Sequence, residues 1–218
     1  MSYARISILI ILLSHLFCTQ SLANQKWYVK PTLGLSYIED IDATTAELLR
    51  TFGDTDIDLD IGYAAGFGIG YFINPNLVVE LAWEYRSNES STVIANQAAY
   101  PDGNYATNLF FANAYFVSQG SKRLKPYIGF GMAVSQEVDI DLENSDTSLS
   151  YSSSGDIGFQ VMGGFNFLVM KRLWLQAELR YTQLADIELD GEGDAAAGLI
   201  TDIDYTAVTA QIAAVYRF

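Results

Sequence analysis

The strongest indication of the fold is the segment Gln211-Ile-Ala-Ala-Val-Tyr-Arg-Phe218. Counting back from its end, the residues of one parity are apolar or aromatic: Phe218, Tyr216, Ala214 and Ile212. Those of the other parity, apart from Val215, are polar or small: Arg217, Ala213 and Gln211. Because successive side chains of a β-strand point to opposite faces, this alternation predicts a strand with one apolar, aromatic-tipped face.

Seven more segments alternate in the same way and reach the length of about 9–11 residues that a membrane-spanning strand needs. Together the eight segments are Lys26–Ile38, Leu59–Ile73, Leu77–Arg86, Tyr105–Gln119, Pro126–Val138, Asp156–Val169, Leu173–Ile187 and Tyr205–Phe218. Long polar loops alternate with three short turns, at residues 74–76, 120–125 and 170–172. The pattern predicts an all-β fold, an eight-stranded antiparallel up-and-down transmembrane β-barrel, in residues 24–218. The fourth segment is the weakest, because its phenylalanines occupy both parities.

Large apolar side chains are expected to face lipid on this barrel. A soluble β-sandwich or lipocalin would bury the bulky face instead, and periodicity alone cannot separate the two. Beyond residue 23, no apolar run approaches the roughly 18 residues of a transmembrane helix. A span must then be a closed barrel, because lipid offers no partner for open backbone groups. The loop alternation and the aromatic strand ends favour the membrane.

Residues 1–23 have the features of a secretory signal peptide. Arg5 precedes the apolar run Ile6–Phe17, and Ser21-Leu22-Ala23 offers a cleavage site with small residues at its two key positions. We therefore expect export through the periplasm and removal of this segment. It contains the only cysteine and the only histidine of the chain, so disulfide, thiol and imidazole chemistry are not expected in the mature protein.

The chain is acidic, with 26 acidic and 12 basic residues and a formal net charge of −14. The basic residues gather near the short turns and the acidic ones near the long loops, which predicts a barrel that is basic at one end and acidic at the other. No basic patch suited to nucleic acid is present, so that class of partner is not expected.

Acidic and aliphatic residues alternate at the stems of the long loops. Following the parity of their strands, these carboxylates are expected to face the inner side of the barrel. Clustered carboxylates suit hard cations, which gives weak candidates for Ca²⁺ or Mg²⁺ ligands: Asp54, Asp56, Asp58, Asp139, Asp141, Glu188 and Asp190. The EF-hand pattern fails, because Leu59 stands where the loop glycine belongs. A solvated acidic rim without a cofactor is favoured over a metal site, and weak bridging by divalent cations to lipopolysaccharide is a third interpretation.

A second set of charges is predicted to lie inside the barrel, where buried charges must pair. This set comprises Lys30, Glu80, Glu84, Arg86, Glu178, Arg180 and Arg217. Because an eight-stranded barrel is only wide enough for side chains to fill it, an ion-paired plug is favoured. The alternative is a gate, or a narrow path for cations or small solutes.

With these features the chain resembles the small outer-membrane β-barrel superfamily, which includes the transmembrane domain of OmpA, OmpX and the opacity-porin-like proteins. The resemblance lies in Lys26–Tyr37, Lys125–Gly131 and Tyr216-Arg217-Phe218. In addition, Gln211, Tyr216 and Phe218 are similar to the assembly signal of such barrels, with Ala213 in place of a glycine. The resemblance implies residence in the bacterial outer membrane, insertion by the barrel assembly machinery and contact with lipid and lipopolysaccharide. We expect a monomer.

The sequence therefore predicts a non-enzymatic protein. Enzymes of this barrel class use a histidine as general base, and none follows residue 23. The expected role is a surface scaffold, adhesion or envelope-integrity protein that presents four acidic loops to an unknown extracellular ligand. A narrow porin-like channel is the alternative.

Overall fold

The computed structural model describes residues 26–47, 50–94, 98–120, 123–145, 148–193 and 198–218, so the predicted signal peptide lies outside the described residues. The strands are β1 (Trp27–Ile38), β2 (Ile41–Glu47), β3 (Arg50–Leu59), β4 (Gly62–Phe72), β5 (Leu77–Ile94), β6 (Ala98–Tyr100), β7 (Asp102–Val117), β8 (Leu124–Glu143), β9 (Ser148–Ser153), β10 (Ile157–Met170), β11 (Leu173–Glu192) and β12 (Gly198–Arg217). Within these ranges, no helix has the length and apolar character needed to cross a membrane.

Eight of the strands pair in a closed ring. Going round it, β1 pairs with β4, followed by β5, β7, β8, β10, β11 and β12, which pairs back with β1. Every pairing is antiparallel, and the closing register sets Tyr28 opposite Arg217 and Gly34 opposite Gln211. The predicted all-β antiparallel fold is confirmed, and each of the eight predicted segments overlaps one strand of the ring. The second of these strands begins at Gly62, because Leu59, where the prediction began, ends β3.

The outward side chains of the ring are large and apolar. Leu81, Ile128 and Ile212 are each about 70% exposed, as side chains that contact lipid would be. The segment with phenylalanines on both parities also alternates regularly, because Phe110 points outward while Phe111 is buried in the interior. The inward face of this segment includes an aromatic ring because Phe111 packs against charged groups inside the barrel.

Four shorter strands extend the sheet beyond the ring at the long-loop end; we call this part the extension. The hairpin β2–β3 fills the space between β12 and β5. β9 pairs with both β8 and β11, and β6 pairs with β5. The wall of the barrel therefore continues above the segment that contacts lipid.

Where the ring passes into the extension, the alternation of inward and outward side chains along a strand is reversed. Asn108 faces Glu137 and Leu109 faces Ser135, so β8 carries one extra residue at this point. Such a β-bulge moves every following side chain to the opposite face. Ser135 is consequently buried on one side of the bulge and Val138 on the other, three residues apart.

The long-loop stems of β11 and β12 contain similar reversals. In β11 the register shifts between Leu184 and Ile187, and both side chains are fully buried. In β12, Asp202 lies between the buried Ile200 and Ile203 and has a φ of 62°. Aspartate is among the few non-glycine residues that adopt this left-handed conformation readily, so it suits the position.

The reversals place the acidic side chains of the stems outside, so the expectation that they face the inner side of the barrel is wrong. Ile57 and Leu189 are buried, whereas the neighbouring acids are exposed or half-exposed: Asp54, Asp56, Asp58, Asp139, Asp141, Glu188 and Asp190. The side chain of Asp186, on the same stem as Glu188, lies outside the described residues. The extension thus has an acidic outer face.

The interior of the extension and of the adjoining ring is apolar. We call this set the upper apolar cluster: Ile38, Ile41, Ala43, Ile57, Leu59, Tyr100, Tyr105, Leu109, Phe111, Ala133, Val138, Ile140, Leu142, Tyr151, Leu184, Ile187, Leu189, Ile200, Ile203, Tyr205 and Ala207. Because apolar side chains from nearly every wall strand meet there, the cluster holds the extension together as a conventional hydrophobic core does.

Close packing inside the ring requires glycine at Gly70. A Cβ atom added to this residue would lie 2.1 Å from Cζ of Tyr28. Gly70→Ala should therefore displace the Tyr28 ring and lower the free energy of unfolding by about 1–3 kcal/mol, measured by urea titration in detergent micelles. Gly163→Ala is the matched control, since its Cβ would meet no atom closer than 3.8 Å. Equal losses at the two positions would contradict this account of the packing.

Candidate functional site

A network of buried charges crosses the middle of the ring; we call it the central ion-pair network. Glu84 accepts a hydrogen bond from Nε of Arg86 at 2.7 Å and from Nη1 of Arg180 at 2.8 Å. Arg180 also donates from Nη2 to Glu178 at 2.8 Å. Arg180 thus bridges two carboxylates, and both arginines are at most 1% exposed.

Arg86 connects this network to the upper apolar cluster. Its two terminal nitrogens donate to the hydroxyl of Tyr205 at 2.9 Å and to that of Thr182 at 3.0 Å. The Phe111 ring also lies near both guanidiniums, with its centroid 5.1 Å from Cζ of Arg180 and 6.0 Å from that of Arg86. An aromatic face attracts cations, which explains why this strand turns a phenylalanine inward.

A second ion pair lies nearer the short turns. Nζ of Lys30 is 2.8 Å from Oε1 of Glu80. The hydroxyls of Tyr28 and Tyr115 donate to Glu80 at 2.7 Å and 2.8 Å, and the amide of Asn113 donates at 3.2 Å. Four donors on one carboxylate offset the cost of burying its charge.

The tyrosines of this site were missed at the level of sequence. Tyr28, Tyr115 and Tyr127 are all buried, and Tyr127 donates to Glu178 at 2.7 Å. Their inward parity, on strands that also flank the predicted lumen acids, was the available signal. Gln211 belongs here too: its amide donates to Glu178. The proposed assembly-signal residues Tyr216 and Phe218 lie on the outward parity of the chain end, and a role in assembly stays a prediction.

Arg217 is placed apart from the central ion-pair network. It lies at the short-turn end with its guanidinium 3.9 Å from the centroid of the Phe72 ring. The remaining predicted lumen charges (Lys30, Glu80, Glu84, Arg86, Glu178 and Arg180) are brought together in the four salt bridges described above.

The weak metal-ligand candidates are spread over the acidic outer face. Within the described residues, no three histidine, cysteine or acidic side chains are grouped so that they could hold a metal ion. These side chains form a charged surface on the described part of the extension.

Among the acids of this face, Asp139 has a perturbed pKa. Partial burial and the neighbouring carboxylate of Asp141 raise the pKa of Asp139 above the usual value of about 3.9. The Ser150 hydroxyl, which donates to it at 3.3 Å, opposes part of this rise. Because the folded protein binds this proton more tightly than the unfolded chain does, the carboxylate destabilises the fold at neutral pH.

Asp139→Asn should therefore raise the urea midpoint at pH 7. The difference from the wild type should shrink as the pH falls through the raised folded-state pKa of Asp139 and vanish below about pH 3.9, where the unfolded chain is protonated as well. Urea titrations at pH 7 and pH 3 measure this, with Asp56→Asn as the control for the loss of one negative charge from the same face. A rise in the urea midpoint of Asp139→Asn that is as large at pH 3 as at pH 7 would contradict a raised pKa for Asp139.

The sequence matches the family model described as the outer membrane protein beta-barrel domain over residues 9–218. The chain belongs to this family. The predicted resemblance and the predicted location in the bacterial outer membrane are thereby confirmed. In outer-membrane barrels the short turns face the periplasm and the long loops face the outside of the cell.

Three solved structures illustrate the likeness in fold. OprG from Pseudomonas aeruginosa aligns with a TM-score of 0.66 at 12% identity, over 88% of this chain and 96% of that chain. Neisserial surface protein A aligns with a TM-score of 0.50 at 15% identity, over 88% and 97%. The outer membrane protease OmpT from Escherichia coli aligns with a TM-score of 0.50 at 10% identity, over 92% and 99%. A search of curated proteins found no significant match.

Proposed function

We propose that this family member is a closed, non-enzymatic barrel that presents an acidic scaffold at the cell surface. One observation supports the proposal: buried side chains lie inside the barrel at two successive levels. The central ion-pair network occupies the middle of the ring, and the upper apolar cluster occupies the interior above it. An ion crossing in either direction would have to separate buried ion pairs and also pass through an apolar core.

The distribution of charge supports the display role. The carboxylates of the loop stems point outward from the extension rather than into the lumen. A row of acids along a pore would attract cations, whereas acids on the outer wall act on partners in the medium or on neighbouring lipopolysaccharide. The geometry therefore favours a surface that repels anions and attracts cationic partners.

The pairing of the lumen carboxylates supports a non-enzymatic role. The lumen carboxylates Glu80, Glu84 and Glu178 are each engaged with cations and are at most 5% exposed. A general base must reach a substrate proton within hydrogen-bond distance, and these groups are closed off from one.

Single-channel recording of the refolded protein in planar bilayers tests the closed lumen. We expect no conductance steps from protein whose fold is verified by heat-dependent gel migration. The charge-balanced double variant Glu178→Gln/Arg180→Gln should be equally silent, because Glu84 and Arg86 stay paired and the upper apolar cluster is unchanged. Cation-selective steps in the wild type that change in this variant would replace the scaffold with the narrow channel.

A further inference from the structure

A separate cavity of about 210 Å³ opens at the periplasmic end, beneath the central ion-pair network. Its walls are largely apolar, with Phe72, Val78, Val117, Trp174 and Val215 among the lining residues. The volume lies below the roughly 300–1,000 Å³ of sites for drug-sized ligands, so it suits a smaller molecule.

The charges that line the cavity have one sign. Lys26, Lys125 and Arg217 contribute to it, and no acidic side chain of the described residues lines it. Two of these cations lie against aromatic walls: Nζ of Lys125 is 5.4 Å from the centroid of the Trp174 ring, and the Arg217 guanidinium is 3.9 Å from that of Phe72. The cationic groups are thus held beside the apolar surface.

The inner end of the cavity does not attract anions. Lys30, which lines it, is paired with Glu80 at 2.8 Å. The hydroxyls of Tyr28 and Tyr127 also point away from a ligand, because they donate to Glu80 and Glu178. The positive charge of Lys26, Lys125 and Arg217 favours an anionic group in the cavity, and an apolar body is favoured deeper inside it.

We propose that this cavity binds a small organic anion with a compact aromatic or apolar body. Its carboxylate lies between Lys125 and Arg217, and its body packs against Trp174 and Phe72. This site is separate from the proposed surface scaffold, because the central ion-pair network lies between the two.

Trp174 provides a direct readout. The chain has three tryptophans, and Trp27 and Trp83 are exposed on the outer wall. The Trp27→Phe/Trp83→Phe background leaves Trp174 as the single reporter in lipid nanodiscs. A bromine atom close to an indole quenches its fluorescence, so 4-bromobenzoate should give saturable quenching. The matched neutral compound 4-bromobenzyl alcohol should bind at least about tenfold more weakly, and inorganic phosphate should compete only poorly.

Lys125→Gln/Arg217→Gln should raise the dissociation constant of 4-bromobenzoate at least about tenfold. The control Lys171→Gln/Arg172→Gln removes the same charge from the same end of the barrel, outside the cavity lining. It should change the dissociation constant by less than about twofold. Because Arg217 adjoins the terminal Phe218, Lys125→Gln alone provides a second variant and should weaken binding in the same direction. Absence of saturable quenching, equal binding of the neutral compound, or equal weakening by both double variants would overturn the proposal.

Discussion

Replacing Arg180 by alanine is expected to lower the free energy of unfolding by about 3–5 kcal/mol, the largest loss of any single substitution considered for this barrel. Arg180 is the only bridge between Glu84 and Glu178 in the described salt bridges, at 2.8 Å from each. Its removal leaves a buried carboxylate, Glu178, without its ion-pair partner. It also leaves Glu84 with Arg86 alone. Removing one member of a buried pair costs more than the pair contributes, because the remaining charge stays in a low-dielectric interior.

Urea titration of refolded protein in detergent micelles, followed by tryptophan fluorescence, measures this loss. The double variant Glu178→Gln/Arg180→Met should recover most of it, since Glu84 and Arg86 then remain as a neutral pair. Lys171→Ala, at an exposed turn position, should stay within about 0.5 kcal/mol of the wild type. A small loss for Arg180→Ala, or no recovery in the double variant, would show that the network does not depend on charge pairing.

Ile140→Asp is the second substitution with a large expected effect, about 3 kcal/mol or more of unfolding free energy. Ile140 is fully buried in the upper apolar cluster, two residues beyond the start of the reversed alternation in β8. The new carboxylate would have no cation within the cluster, whereas Asp139 and Asp141 on either side already face outward. One position along the strand therefore separates a tolerated acid from a damaging one.

Two controls separate charge from packing at this site. Ile140→Val removes one methylene and should cost about 0.5–1.5 kcal/mol. Ser148→Asp adds the same charge at an exposed position of the extension and should stay within about 0.5 kcal/mol. Limited proteolysis of the long loops should accelerate in Ile140→Asp alone. If Ile140→Asp is tolerated as well as Ser148→Asp, the interior of the extension is wet and the upper apolar cluster does not close it.

The ring of strands and its outward apolar face could be predicted from the sequence because lipid imposes a strict condition. Every backbone group must be paired within a closed sheet, and every second side chain must be apolar. Leu77, Val79 and Leu81 record that condition directly in their spacing. The residues facing a narrow lumen follow by exclusion, which is why Glu80, Glu84 and Glu178 could be assigned to the interior.

The reversal of the loop stems could not be predicted in the same way. A bulge adds one residue to one strand, and its position depends on the register of the partner strand, which a single sequence does not reveal. The residues of Val138–Leu142 alternate regularly, and the alternation alone does not show which of the two sets faces the interior. The pairing of Asn108 with Glu137 shows it. The tyrosine donors to Glu80 and Glu178 come from strands far apart in sequence, and their convergence follows from closure of the ring.

The bulges allow one chain to fit both the bilayer and the water above it. Below them the protein is inside-out, with charge in its interior and hydrocarbon at its surface; above them it obeys the ordinary arrangement of a water-soluble domain. In a reversed stem, the positions that tolerate a charge therefore change within three residues, as between Ser135 and Val138. Surface residues of the extension can be exchanged as freely as those of a soluble protein. In the ring, the outward positions of the same strands must stay apolar because they contact lipid.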